Sequence, residues 1–388
     1  MIALARKTLV HEWRRFVPAV LAIGFSGVLL LVQAALVLGI FGSAAVSVTA
    51  SSADLWAGFP GTQSVNFGRP IGSDVEMRLR MDPDVVDVEP YLWVEGDWHA
   101  AGAGRGGVSV FVSGLRTEPG AMMFSEVLTS GLRERLREPG AVIVDRSDLD
   151  QLGVAVGDGA WINGQHVRLI AALTGLRALG GVNVLASIAT ARSMEPVERT
   201  AEPSEANTLS PSAMTYFVAR LRDPLRADTV RARLQPSGAF GPAHVWTANE
   251  FAERSQRYWL LNTGAGVAVL FMAAIVCLVG AVITSQSLTA VVAGSAREYA
   301  VLNALGASVF SLSRVVLEQA WWVGLLGVLM AAIAGSVLLV VAARHDVPVA
   351  MNWPVALGCT LLVGGLALVS GLLAVRGLLR ADPALLLR

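Results

Sequence analysis

The chain has 388 residues, 54% of them hydrophobic and 15% charged, and its mean hydropathy of +0.57 is too high for an ordinary water-soluble protein. Thirty basic and 30 acidic residues cancel, which removes the basic surplus a nucleic-acid binder needs to neutralise phosphates. Lys7 is the only lysine, so no lysine lies in the body of the chain to serve a P-loop or a Schiff base, and Cys277 and Cys359 sit in apolar stretches where no disulfide framework is expected.

Four stretches lack Asp, Glu, Lys and Arg: Phe16 to Ala53, Tyr258 to Ala296, Gln319 to Ala343 and Val347 to Val375. Each exceeds the roughly 20 apolar residues that cross a bilayer as helix, and helix is required because an open sheet would leave backbone groups unbonded in lipid. Trp13, Tyr258, Trp259, Trp321, Trp322 and Trp353 stand near their ends, as interfacial aromatics do. A cleaved signal peptide is the alternative for the first stretch, but its apolar run exceeds the usual signal core. Arg6, Lys7, Arg14 and Arg15 precede the first span, Arg297 and Arg314 fall between the second and third, and Arg376, Arg380 and Arg388 follow the fourth. The positive-inside rule therefore turns both termini to the cytoplasm.

The expected division runs as follows: a cytoplasmic amphipathic helix over 1–16, a first span over 17–41, an extracytoplasmic α/β domain over 42–256, and a second span over 257–289. A cytoplasmic segment over 290–314, a third span over 315–343, an outer loop over 344–353, a fourth span over 354–379 and a cytoplasmic tail over 380–388 complete it. Within the outer domain, strand-period alternation marks Val75 to Arg80, Val85 to Glu89, Val108 to Val112 and Ala141 to Val144. Asn163-Gly164 between Ala160-Trp161-Ile162 and His166 to Leu169 predicts a tight hairpin, and Met123 to Arg137 predicts a helix ended by Glu138-Pro139-Gly140. Glu195 to Pro211, with almost nothing to bury, reads as a mobile loop, with a partner-binding arm as the alternative. Thr247-Ala248-Asn249-Glu250 has capping-box spacing and opens a stalk helix from about 248. The stalk either continues into the second span or breaks near Asn262-Thr263-Gly264.

Catalytic signatures are missing. Gly102 to Gly107 matches G-x-G-x-x-G but precedes a strand instead of opening a helix, so it reads as a hairpin loop, and no G-x-x-x-x-G-K-[ST], G-x-S-x-G, S-x-x-K or H-E-x-x-H occurs. His11, His99, His166, His244 and His345 are scattered without metal-ligand spacing, and Asp82, Asp84, Asp87 and Glu89 read as a turn entering a wet strand in preference to a calcium loop. The spans hold almost no ionisable residues, Glu318 being nearest, which argues against a proton or ion pathway. They hold Gly264, Gly266, Gly280, Gly324, Gly327, Gly364 and Gly365, which permit close helix packing. Between the second and third spans, Ser295-Ala296-Arg297-Glu298 has capping-box spacing, Tyr299, Leu302 and Leu305 share one face, and Gly306 stands at the C-cap position. A short amphipathic helix over 296–305 follows, lying either in the headgroup region or docked into a soluble partner.

On these residues the chain resembles the FtsX/MacB superfamily of ABC-transporter permeases: one N-terminal span, a large outer domain, three C-terminal spans, and Arg297 to Ala307 similar to the family's Arg-Glu, apolar, Ala-Leu-Gly-Ala segment. The ending Ala381-Asp382-Pro383 to Arg388 is similar too, while Asn303 and Leu386 depart from the usual residues, and Leu4 to Gln33 resembles DevC-type exporter permeases. The resemblance implies a non-catalytic, cofactor-free permease in the bacterial inner membrane that couples a separate cytosolic ABC ATPase to its outer domain. It implies a second permease copy as a homodimer and, for the DevC subgroup, a periplasmic adaptor. Arg297, Glu298, Tyr299, Leu302, Ala304, Leu305 and Gly306 are the residues it implies for ATPase coupling. The competing reading is a membrane regulator of cell-wall hydrolases or an envelope sensor that transports nothing; a membrane-bound hydrolase is disfavoured by the missing motifs.

Overall fold

The computed structural model describes residues 13–101, 107–195, 213–235, 243–294, 309–345 and 347–380. They form two compact units: Phe41–Thr263, and Met1–Ile40 together with Gly264–Arg388.

The second of these units holds the long apolar helices: α1 (Trp13–Gly42, entering the other unit at its end), α9 (Gly264–Gly294), α10 (Val309–Arg344) and α11 (Trp353–Arg380). Four apolar stretches, Phe16–Thr49 (α1 with the 43–49 segment that continues it), Gly264–Ser287, Leu317–Arg344 and Trp353–Ser370, are long enough to cross a membrane. Their core is narrow. Phe16, Ala19, Ile23 and Leu30 of α1 pack with Ala320, Val323, Val363 and Ala367, while Phe271, Leu278, Ile333 and Leu361 point outward, the pattern of helices solvated by lipid on their far sides. Small residues set the spacing: a Cβ on Gly327 would stand 2.6 Å from Ile23, one on Gly324 3.1 Å from Ala367, and one on Gly280 3.3 Å from Ser26. Gly264, Gly364 and Gly365 face open space instead, whereas Gly24 and Gly27 of α1, unremarked in the sequence pattern, make close contacts with Met330 and Ala331.

The inserted unit is sheet-rich. Its strands are β1 (Leu55–Gly58), β2 (Val85–Ala100), β3 (Val108–Leu115), β4 (Ala141–Asp145), β5 (Gly159–Ile162), β6 (Gln165–Leu173), β7 (Val182–Ser187), β8 (Tyr216–Leu221) and β9 (His244–Thr247). Its helices are α2 (Val46–Thr49), α3 (Asp74–Arg80), α4 (Ser130–Arg135), α5 (Leu149–Leu152), α6 (Ile188–Ser193), α7 (Ala227–Leu234) and α8 (Ala248–Leu261). The strand order β3-β7-β4-β6-β5-β2 closes on itself through β2–β3 pairing, giving a six-stranded barrel, and β8, β1 and β9 extend outward from β2 as an open sheet. Barrel closure leaves no free edge there. Val94, Val110, Val112, Val142, Val144, Ile162, Val167, Leu169 and Val184 fill its interior.

One strand serves both lobes. Val85 to Tyr91 pairs with β8, Leu92 to Trp98 with β3 and Trp98 to Ala100 with β5, so the change of partner falls between Tyr91 and Leu92. In the open sheet successive residues alternate faces, as the pleat demands: Leu55, Ala57, Phe217, Ala219 and Val245 face α3 and α7, while Trp56, Tyr216, Val218 and Trp246 face α8 and the segment after α1. The Asn163-Gly164 hairpin forms in the expected register, Ala160 opposite Val167, with both turn residues at positive φ (49° and 81°).

Two expectations fail. Val75 to Arg80 is helix α3, not strand: Val75, Met77 and Leu79 satisfy either period locally, but only Val75 and Leu79 are buried while Met77 is 65% exposed. Asp74 and Glu76 in the first turn, Arg78 and Arg80 in the last, and the Glu76–Arg80 ion pair at 2.8 Å all favour helix. The expected helix Met123 to Arg137 is reduced to α4, because Phe124 takes a left-handed conformation (φ 52°) that ends helical continuation and puts its ring wholly inside the core.

Where α1 meets the 347–350 loop, Ala350 N–H donates to Ala35 O at 3.0 Å, and a side chain on Gly39 would overlap the Pro348 carbonyl. Gly39→Val is therefore expected to cost about 1–3 kcal/mol, read as a lowered thermal unfolding midpoint of the full chain in detergent. Gly42→Val, with open space around it, should leave the midpoint unchanged.

Candidate transmission site

The predicted coupling residues Arg297, Glu298, Tyr299, Leu302, Ala304, Leu305 and Gly306 lie outside the described residues, as do 102–106 of the glycine-rich loop, 196–212 of the expected mobile loop and the 381–388 tail. The coupling segment is bracketed by Gly294 at the end of α9 and Val309 at the start of α10. What the structure does describe is the place in the inserted unit where its two chain connections meet: the segment 41–49 arriving after α1, and α8 departing before α9.

α8 begins as its sequence dictates. Thr247 caps it, its Oγ1 accepting from Glu250 N–H at 3.3 Å. The helix ends at Leu261 and α9 starts at Gly264, so the interruption falls at Asn262-Thr263. Phe251, Ala252 and Ser255 form the buried stripe of α8, which packs against 43–49. Phe251 stacks on Trp246 at 4.8 Å and 14° and reaches Trp56 at 5.5 Å and Tyr216 at 5.7 Å, and Trp56 meets Tyr91 edge-on at 5.7 Å. Each such aromatic contact adds about 0.5–1.5 kcal/mol beyond area burial.

Farther along, Arg254 Nε donates to Thr62 O at 2.9 Å and Trp259 Nε1 to Ser64 Oγ at 3.1 Å. Phe67 contacts the rings of Tyr258 and Trp259 at 5.3 and 6.0 Å, and Arg231 pairs with Glu250 at 2.9 Å. α8 is thus fastened along its length. Beside its N-terminus lies a cleft of about 360 Å³ lined by Thr49, Asp54, Pro224, Ala227, Thr247 and Asn249, among others. Asp54 is already engaged, accepting from Leu221 N–H at 2.7 Å.

The acidic run entering β2 is matched by arginine, not arranged for a cation. Asp82 receives Arg233 at 2.6 and 2.7 Å, Asp84 receives Arg233 at 2.7 Å and Arg226 at 2.8 Å, and Asp87 receives Arg116 at 2.6 and 3.2 Å. Glu89, fully buried, accepts from Met122 N–H and lies 3.8 Å from Arg116. Among the described residues no three His, Cys, Asp or Glu side chains gather as metal ligands would.

Residues 270–383 match the family model of the FtsX-like permease C-terminal domain. No curated protein matches the chain. Among solved structures, the periplasmic region of MacB from Actinobacillus actinomycetemcomitans is similar at 10% identity over 53% of this chain and 94% of that one, with a TM-score of 0.35. The extracellular domain of the noncanonic ABC-type transporter YknZ from Gram-positive bacteria is similar at 10% identity over 50% of this chain and 100% of that one, TM-score 0.33. The four apolar helices and the family match make the chain a multi-pass membrane protein.

Asp82 and Glu89 give opposite pH dependences. Burial opposes the charge on Asp82, yet Arg233 and Asp84 N–H outweigh it and hold the carboxyl below 3.8. The stabilisation is present above 3.8 and is lost as pH falls through the depressed folded value. At Glu89 burial dominates over Met122 N–H and Arg116 and raises the pKa above 4.5, so the folded state holds its proton longer and stability declines as pH rises from 4.5 through the raised value. Asp82→Asn is expected to cost about 1–2 kcal/mol at neutral pH and to remove the acid-side loss. Glu89→Gln, which keeps an acceptor for Met122 N–H, should flatten the decline above 4.5. Thermal melts of the full chain from acid to neutral pH check both.

Proposed function

Because residues 270–383 match the FtsX-like permease C-terminal domain, we propose that the chain belongs to the FtsX/MacB-type ABC permease superfamily and is the permease subunit of an ABC-type export or mechanotransmission complex. A separate cytosolic ATPase grips the 296–305 segment, and its nucleotide-driven closure shifts the second span and, through α8, the inserted domain. The observation that carries this reading is the family match itself, which spans the coupling segment with the helices on both sides of it. In this reading both termini are cytoplasmic, the inserted domain is extracytoplasmic in a bacterial inner membrane, and two permease copies work with two ATPases. A periplasmic adaptor completes the assembly if it exports a substrate. The chain itself is non-catalytic: ATP hydrolysis belongs to the partner, and the permease converts it to displacement.

The fastening of α8 supports this role. A lever works only if it is rigidly joined to its load, and α8 is joined by the Phe251 stack, the Arg254 and Trp259 hydrogen bonds and the Arg231–Glu250 pair.

Replacing both Leu302 and Leu305 by Asp is expected to weaken ATPase co-purification with the affinity-tagged chain by more than about a hundredfold, since each leucine buried in the dock contributes about 1.5–3 kcal/mol. Membrane insertion, checked by fractionation, should be unchanged. Undiminished co-purification would sink the docking assignment.

A further inference from the structure

A buried chain of hydrogen bonds crosses the inserted domain, starting from the segment that follows α1. The Tyr91 hydroxyl lies 3.4 Å from Ser47 Oγ and 2.8 Å from Ser113 Oγ. Ser113 Oγ donates to Asn183 Oδ1 at 2.9 Å, Asn183 Nδ2 donates to Leu176 O at 3.2 Å, and Leu176 N–H donates to Asp145 Oδ2 at 2.8 Å. Ser47, Tyr91, Ser113, Asn183 and Asp145 are all buried, so the members have no water to replace a lost partner and the geometry of each is fixed by the next. Burial raises the Tyr91 pKa, keeping the hydroxyl protonated.

The chain ends on the loop 174–181 between β6 and β7, and α8 reaches the same loop from the other side. Asn66 Nδ2 donates to Leu179 O at 3.0 Å. Its neighbour Ser64 accepts from Trp259, and Phe67 packs on that indole. Gly180, at φ +95°, passes so close that a Cβ there would stand 3.3 Å from the Trp259 ring, and one on Gly181 2.8 Å from Phe111. A side chain at Gly180 would wedge the loop off α8, and one at Gly181 would press it off Phe111 of β3.

We propose that the 174–181 loop is a two-sided latch that holds the segment leaving the first span and the far end of α8 in a fixed relation, with Tyr91 and Asn183 as positioning residues on one side and Asn66 and Trp259 on the other. It rests on the reading of α8 as a lever: displacement of either connection is felt by the other through this loop, not only through their direct packing.

The test is amide hydrogen exchange of the full chain in lipid nanodiscs, without ATPase or nucleotide. Asn183→Asp keeps the acceptor for Ser113 but loses the donor to Leu176 O. It is expected to speed exchange roughly tenfold in 174–181, the loss of about one hydrogen bond, and also in 256–261. Tyr91→Phe keeps the ring and is expected to speed exchange in 46–50 and 174–181 together. Val167→Ala, a barrel-core substitution, serves as a control of comparable global destabilisation and should leave 174–181 and 256–261 unmoved relative to the rest of the domain. Changes confined to the immediate neighbours of the substituted residue, or the same pattern with Val167→Ala, would overturn the latch. Because no ATPase is present, this outcome is independent of the co-purification experiment: failure there removes the permease coupling, and failure here removes only the latch.

Discussion

Trp56 sits on β1 with no exposed surface and touches Tyr91 of β2, Tyr216 of β8 and Phe251 of α8. Three strands and the departing helix are thereby tied to one indole. The arrangement answers a constraint set by topology: a domain inserted between two spans has its chain entering and leaving through separate segments, and each must be held against the same core if movement at one is to displace the domain as a body. Large, rigid aromatic rings suit this because they bury much area with few rotatable bonds, losing little side-chain entropy for the contact made. Truncating Trp56 would open a cavity facing all four elements at once, and well-packed surroundings collapse only partly around such a void.

Much of the plan is legible in one dimension where the physics is local or one-sided. The spans emerge from gaps in the charge pattern because lipid excludes charge along a continuous run. Asn163-Gly164 and Thr247-x-x-Glu250 are legible because a tight turn and a helix N-terminus each require particular residues at adjacent positions. Val75 to Arg80 misleads for the opposite reason. Its apolar residues fit two periods, and the choice is made by which of them the sheet beneath can cover. Phe124 defeats the helix expected over Met123 to Arg137 by a backbone conformation that only the surrounding core imposes. The closed barrel is invisible as well, since β3–β7 and β4–β6 are parallel pairings between distant segments, and no local signal states which strand meets which.

The candidate site divides the same way. The proposed coupling segment 296–305, outside the described residues, is a sequence motif in which cap, apolar face and terminal glycine stand in fixed spacing, whereas the fastening of α8 has no such motif. Arg254, Trp259 and Ser64 carry no shared pattern, and Ser64 and Trp259 meet across a sequence separation of 195. Nor do Ser47, Tyr91, Ser113 and Asn183 announce themselves. Neutral hydroxyls and amides on strands and on the short helix α2 look like ordinary solvent-facing residues until burial shows that each is spent on the next.

That contrast explains how charge and neutral polarity are distributed in the inserted domain. The carboxylates entering β2 are matched by arginine: Asp84, Asp87 and the buried Asp82 each meet a guanidinium that stays at least 22% exposed, so the pairs keep one partner in water. Deeper in, where an ion pair would have to repay the full cost of leaving water, the hydrogen-bond chain from Ser47 through Tyr91, Ser113 and Asn183 is made of uncharged groups and reaches a carboxylate only at its end, where Asp145 accepts from Leu176 N–H. Glu89 is a fully buried carboxyl two residues before β2 exchanges β8 for β3, and its raised pKa is the consequence of that burial. The inserted domain therefore keeps its arginine-matched charges at its partly solvated side, and its aromatic and neutral polar contacts lie between the segment after α1 and α8.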